Sequence, residues 1–274
     1  MAMLSSRTGN PIESLARIGY AARGLVYTLV GWLAVLASLG RGSRAPDSQS
    51  ALSVILAQPF GRILLGAVAA GLVCFAIWRA VQAVLDADRL GGSAKALLRR
   101  GSFAVSAVIN CGLAISAVQM ITQTSSAGGG GNGARDWTAH LLSVPFGQIL
   151  VAGVGLVVVG AGLSNAWKGY KGRVGDRVAA DGQAEPWLLQ LGRAGYLARG
   201  LVFTLIGGFI AIAAYRSSAS EVQGLAGALR TLQEQPYGGA LLLMTALGLF
   251  AFGAFQIALA RHRRIDAPRV AAKN

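Results

Sequence analysis

The sequence predicts an all-α integral membrane protein: six transmembrane helices arranged as three parallel two-helix repeats, closed into a pseudo-three-fold bundle, with short interfacial helices in the outer loops. Three observations carry this. Of 274 residues, 54% are hydrophobic and only 13% charged, about half the ~25% charge of an average soluble domain. That leaves too little polar surface to cover a globule in water, and too much apolar character for disorder. Six apolar stretches are each long enough to cross the ~30 Å hydrocarbon core. One motif recurs three times at nearly constant spacing.

In chain order the spans are Ile18–Leu39, Phe60–Leu85, Gly101–Thr122, Phe146–Tyr170, Tyr196–Tyr215 and Tyr237–Ala260. Their interiors are nearly free of charge, and each is closed by Arg, Lys, Pro or Gly-rich sequence. Barrel strands are shorter and alternate with a period of two, so helices are the spanning form. The first span follows Arg17 and Arg23 and ends in Ala34-Val35-Leu36-Ala37-Ser38, which has the look of a cleavable leader. Nearly the same sequence recurs close to residue 200, so this span is read as a retained helix.

Residues 17–27 are Arg-Ile-Gly-Tyr-Ala-Ala-Arg-Gly-Leu-Val-Tyr, and residues 193–203 are Arg-Ala-Gly-Tyr-Leu-Ala-Arg-Gly-Leu-Val-Phe. A degenerate copy begins Arg99-Arg100-Gly101-Ser102-Phe103. Each second span opens on Pro59-Phe60-Gly61, Pro145-Phe146-Gly147 or Pro236-Tyr237-Gly238, lying 40, 44 and 41 residues after Gly19, Gly101 and Gly195. The units are residues 15–88, 97–172 and 188–264, flanked by tails 1–14 and 265–274. Two spans per unit return the chain to its starting side, so the copies are parallel and relate by rotation about the membrane normal. Before each Pro, apolar residues at steps of three and four mark a short amphipathic helix: Ala51, Leu52 and Ile55; Trp137, Leu141 and Val144; Ala228, Leu229 and Leu232. Such a helix either lies along the outer membrane surface or is an ordinary helix packed on the loop. The run Gly128–Gly131, Asn132, Gly133 reads as a flexible linker.

Charge fixes the expected orientation. Sixteen of the 25 Lys and Arg fall on the side of both termini, six on the other, and Arg23, Arg79 and Arg199 lie within spans. Both termini are therefore expected in the cytoplasm, with the chain multi-pass in a bacterial inner membrane. The net charge of +14 then forms a rim that attracts anionic lipid headgroups. A nucleic-acid partner is not expected, because no soluble segment is long enough for a basic module. Protein partners and oligomerisation are left open.

The Gly-Tyr-x-x-Arg-Gly-Leu-Val start, the Ala-Leu pair and the Pro-Phe-Gly opening resemble the bacterial domain-of-unknown-function family 1206, across most of residues 15–264. The resemblance implies tandem two-helix membrane units and no particular activity. The second copy departs from it, having Val105 and Ser106 in place of the Arg-Gly pair.

The candidate polar site is Arg23, Arg199, Arg79, Asn165 and Gln256. Arg23 and Arg199 are equivalent, about one turn inside their helices, and either snorkel to the interface or line a vestibule for an anion or lipid phosphate. Arg79, Asn165 and Gln256 each lie 20 residues after their Pro. One polar residue per copy at one depth suits a ring on the pseudo-axis, and equally suits interhelical hydrogen bonds. Trp32, Trp78, Trp167, Tyr27, Tyr196, Tyr215 and Tyr237 are read as interfacial anchors, Cys74 and Cys111 as small buried hydrophobes, and Asp86-x-Asp88 beside Arg89 as a helix-end charge cluster.

None of the 11 acidic residues lies deep in a span, so no proton relay or cation site is expected. No span holds a histidine, and no metal-ligand spacing occurs, so neither cofactor nor metal is expected. The leading expectation is a non-enzymatic binding or scaffold component of the envelope. The alternatives are a small anion or lipid-phosphate transporter along the pseudo-three-fold axis, and a lipid-modifying enzyme.

Overall fold

The computed structural model describes residues 11–41, 46–86, 91–122, 133–172 and 186–262, and everything below concerns these. They form α1 (Pro11–Ser38), α2 (Ser48–Leu56), α3 (Gly61–Val84), α4 (Ala94–Thr122), α5 (Gly133–Leu142), α6 (Gly147–Tyr170), α7 (Pro186–Tyr215), α8 (Leu225–Gln233) and α9 (Gly238–His262). Helices α1, α3, α4, α6, α7 and α9 are long and apolar enough to cross a membrane. Helix α1 begins inside the stretch expected as a tail, and α4 and α7 extend several residues below their apolar runs. The tail 265–274, the Gly-rich residues 128–132 and the pair Asp88–Arg89 lie outside the described residues.

The six long helices form a ring in the order α4, α3, α1, α9, α7, α6. Its strongest seams join different units. The first helix of each unit packs on the second helix of the unit before it, as α4 on α3, α7 on α6 and α1 on α9. This cyclic pattern is the pseudo-three-fold closure. Small residues make it close: a Cβ on Gly24 or Gly31 would collide with α9, and one on Gly200 or Gly207 with α6. Inside lipid there is no hydrophobic drive between helices, so such backbone approach supplies the packing. Thr28 and Thr204, at these seams, return their hydroxyl protons to the carbonyls of Gly24 and Gly200, as expected of Thr in an apolar helix.

Arginines latch the same three seams. Arg17 donates to the carbonyls of Ala260 and Arg261 at 3.0 and 2.7 Å. Arg193 donates to Gly169 and Tyr170, and Arg100 to Ala83 and Val84 at 2.7 and 3.0 Å. Each guanidinium satisfies the orphan carbonyls at the end of the preceding unit's second helix, where the helix dipole also favours a cation. This corrects the register of the middle copy. Arg100, not Arg99, corresponds to Arg17 and Arg193, so Phe103 matches Tyr20 and Tyr196, while Ser106 and Ala107 replace the Arg-Gly pair. An Arg100→Ala substitution is expected to cost about 1.5–3 kcal/mol, the worth of hydrogen bonds to a charged group. An unchanged thermal midpoint in detergent would contradict the latch.

At the opposite end each short helix turns into the next span through one device. Phe60, Phe146 and Tyr237 adopt left-handed φ of 61°, 64° and 60°, a costly conformation for a bulky residue. The following Gly61, Gly147 and Gly238 back onto the carbonyls of Leu56, Leu141 and Gln233, where a Cβ would collide. The aromatic rings are left exposed, where a membrane–water interface would hold them. Asp47 caps α2 by accepting from the Ser50 N–H at 2.8 Å. The apolar faces of α2 and α8 turn into the bundle: Ala51, Leu52, Ile55, Ala228, Leu229 and Leu232 join Val30, Ala34, Leu65 and Leu242 in the main core. The short helices α2 and α8 thus sit in the loops between spans, as expected, with their apolar faces packed on the bundle. The Trp137 side chain lies outside the described residues.

Two sequence expectations change. Trp78 and Tyr196 are buried and Tyr27 is half-buried, so these are interior rings, while Trp32, Trp167, Tyr215 and Tyr237 are exposed as anchors should be. Cys111 is exposed and Cys74 half-buried, so neither thiol fills the core. Asp86 accepts the Gly91 N–H at 2.9 Å, a local turn contact.

Candidate functional site

Units 1 and 3 close their own two helices tightly; unit 2 does not. In unit 1, Gly71 abuts Ala22 and Gly19 abuts Phe75; in unit 3, Gly248 abuts Ala198 and Gly195 abuts Phe252. Tyr20 and Tyr196 then meet Phe75 and Phe252 edge-on, with centroids 5.3 and 5.6 Å apart. At the equivalent positions the middle unit has Val157 and Val105 where the others have Gly against Ala, and Ser102 and Ala161 where they have Gly against Phe. Larger groups at the close-approach positions hold the backbones apart, and the aromatic that would bridge them is missing. Helices α4 and α6 consequently meet in only a few places.

Behind that open seam lies a cavity of about 1970 Å³. It runs from Arg99 and Lys168 at the end bearing α1's start, to Gln49, Gln119 and Glu234 beneath the short helices. Between these ends the walls are mostly aliphatic, including Val108, Ile109, Val154, Val158, Val202 and Ile206.

The three intramembrane arginines converge on this cavity. Arg23 is 3%, Arg79 7% and Arg199 9% exposed, so Arg23 and Arg199 do not snorkel. They stack on a shared aromatic cage instead. Arg23 and Arg79 lie over Phe75, with Cζ 4.6 and 4.9 Å from its centroid. Arg79 also lies 4.9 Å over Phe103, and Arg199 lies 4.4 Å over Phe203 and 4.9 Å over Phe252. Tyr27 completes the cage beneath Arg23 at 5.4 Å. Such contacts are worth ~0.5–2 kcal/mol each when desolvated, and they hold the cations without neutralising them. The charges of Arg23 and Arg79 both bear on Arg199.

Hydrogen bonding is incomplete where it matters. Arg79 donates to Gln82 Oε1 at 3.0 Å. Arg23 Nε and Nη1 and Arg199 Nε are buried with no partner among the described residues. The described carboxylates lining the cavity, Asp47 and Glu234, belong to its far end. Convergent buried cations with open donors are suited to receiving an anion.

The other expected site residues divide. Asn165 is buried and lines the cavity, close in sequence to Lys168. Gln256 is buried but does not reach the cavity, so the ring of Arg79, Asn165 and Gln256 is not assembled around one space. Asn110 is buried and donates to the Ser106 carbonyl at 2.6 Å. Sequence reasoning missed the cage, Phe75, Phe103, Phe203 and Phe252, because a phenylalanine in an apolar span reads as lipid-facing. The available signal was its spacing of four from a buried arginine, as in Phe75 to Arg79 and Arg199 to Phe203.

Fold and site together define a multi-pass helical membrane protein of three two-helix units, with a cationic cavity opened by its divergent middle unit. The family described as Domain of Unknown Function (DUF1206) matches the chain three times, at residues 18–86, 101–172 and 194–263, and the chain belongs to that family. It is also similar to a Bacillus subtilis (strain 168) protein described as "Uncharacterized protein YxxB", with 32% identity over 260 residues, covering 94% of this chain and 93% of that one. No solved structure matches the chain.

Proposed function

We propose that this protein is a non-enzymatic binding component of the bacterial cytoplasmic membrane, with both termini in the cytoplasm, and that its ligand is a phosphate-bearing anion held by Arg23, Arg79 and Arg199. The observation that carries this is the set of buried, unpartnered N–H groups of Arg23 and Arg199 at the cavity wall. A charge buried within the bilayer is costly, up to ~2.5–3.5 kcal/mol at its centre on insertion scales, and three of one sign also repel. An anion offsets both terms. Binding without chemistry is favoured because the described groups around the arginines are Gln82, phenylalanines and the phenols of Tyr27 and Tyr196, with no described carboxylate or histidine beside them.

The test is a thermal titration of purified protein in neutral detergent with inorganic phosphate. A midpoint that rises with phosphate, and no longer does so after Arg23→Ala with Arg199→Ala, supports the reading. A midpoint indifferent to phosphate in the unaltered protein overturns it. A second reading, an anion transporter, draws on the cavity's extent from Arg99 and Lys168 to Gln119 and Glu234. Phosphate flux into proteoliposomes that is lost with Arg79→Ala would favour it over simple binding.

A further inference from the structure

Resting on the anion-binding reading, the geometry points to the source of the phosphate: we propose that an anionic phospholipid of the leaflet at the basic end slides sideways through the open seam between α4 and α6, seats its phosphate on Arg23, Arg79 and Arg199, and lays its acyl chains along the aliphatic wall of the cavity.

Four observations converge. The opening faces the membrane. Val108, Ile109 and Val154 line the cavity and are also exposed, so the space behind the seam is continuous with the surface that lipid covers. The depth is right for a headgroup drawn inward. Arg23 lies six residues above Arg17, the latch at the helix end, which at 1.5 Å per residue is about 9 Å. Arg99 and Lys168 line the cavity near that same end, offering cations along the way in. The size leaves room for far more than a bare ion. Drug-sized ligands fill ~300–1,000 Å³, and this cavity is about 1970 Å³. From Arg99 to Gln119, both lining residues on α4, the path is about 30 Å, ample for acyl chains. Finally, the wall chemistry is split. The buried cations gather in one half, Arg230 at the other end being paired with Glu234, while Val158, Val202 and Ile206 line the stretch between, and an amphiphile matches that division where an inorganic anion would meet only one part of it.

The divergence of the middle unit thereby acquires a role. Ser102, Val105, Val157 and Ala161 hold apart a seam that units 1 and 3 keep shut, and Ser106, replacing the third cage arginine, leaves room at the portal.

Native mass spectrometry of the unaltered protein, loaded from mixed micelles of phosphatidylglycerol or phosphatidylcholine with the same acyl chains, tests this without any substitution. One phosphatidylglycerol retained per chain at about tenfold or greater preference over phosphatidylcholine is expected, since both lipids carry the phosphate but only phosphatidylcholine brings a second, positive charge against the three arginines. Equal retention of both lipids overturns the proposal. In a second arm, Ala161→Phe restores the bridging ring of the other units. It is expected to reduce phosphatidylglycerol retention several-fold while the thermal response to inorganic phosphate persists. Undiminished retention in folded Ala161→Phe protein overturns the route through the seam. Phosphate binding with no lipid retained sinks the lipid assignment and leaves the anion site standing; failure of both removes the anion site as well.

Discussion

Replacing Arg23 and Arg199 together by methionine is expected to raise the thermal midpoint of the ligand-free protein while abolishing its response to phosphate and to anionic lipid. The sign follows from weighing two terms. The cation–π contacts over Phe75, Phe203 and Phe252 favour the arginines by up to ~2 kcal/mol each. Methionine keeps part of that, because a thioether against an aromatic ring is itself worth ~0.3–1.5 kcal/mol. Against this stand three buried donors without partners, each costing ~1–3 kcal/mol or more for a charged group, and the repulsion among neighbouring cations. Buried charged groups replaced by apolar ones of similar size often give ~1–4 kcal/mol of stability, which for a chain of this length is several degrees. Differential scanning fluorimetry in neutral detergent reads both effects at once. A lowered midpoint with the phosphate response intact would make the arginines structural and remove the site.

The second large effect is expected at Gly71. A side chain there collides with Ala22, at a position where α1 and α3 close unit 1. Gly71→Leu is expected to cost more than the ~1–3 kcal/mol of ordinary overpacking, because rigid helices offer little room to yield, and to appear as loss of monodisperse protein in detergent. Gly153→Leu is the matched control. It lies in a span of similar composition, but a Cβ at Gly153 meets nothing within 4 Å, so its midpoint should move little. Equal damage from both substitutions would mean that loss of glycine flexibility, not helix contact, is being measured.

Much of the architecture is legible in the sequence because the bilayer simplifies the problem: apolar length gives the spans, and recurrence of Arg-x-Gly-Tyr and Pro-aromatic-Gly gives the units. The six helices lie where the runs of apolar residues put them, and the turn after Gln58 repeats after Val144 and Gln235 with one backbone geometry. The register of the middle copy was not legible, since Arg99 and Arg100 are adjacent and only the carbonyls of Ala83 and Val84 select between them. The site was half legible. Charge inside a span marks Arg23, Arg79 and Arg199, but their convergence depends on ring order, which pairs α1 with α9 and α3 with α4. Gln256 shows the limit of positional symmetry, for it occupies the position of Arg79 in its unit yet does not line the cavity.

A crystal structure grown from a lipid phase containing phosphatidylglycerol is the most direct measurement. The expected result is a phosphate within hydrogen-bond distance of Arg23 Nη1 and Arg199 Nε, with acyl density passing between α4 and α6. Guanidinium groups turned to the bundle exterior, or α4 and α6 packed as closely as α1 and α3 with no lipid between them, would contradict it.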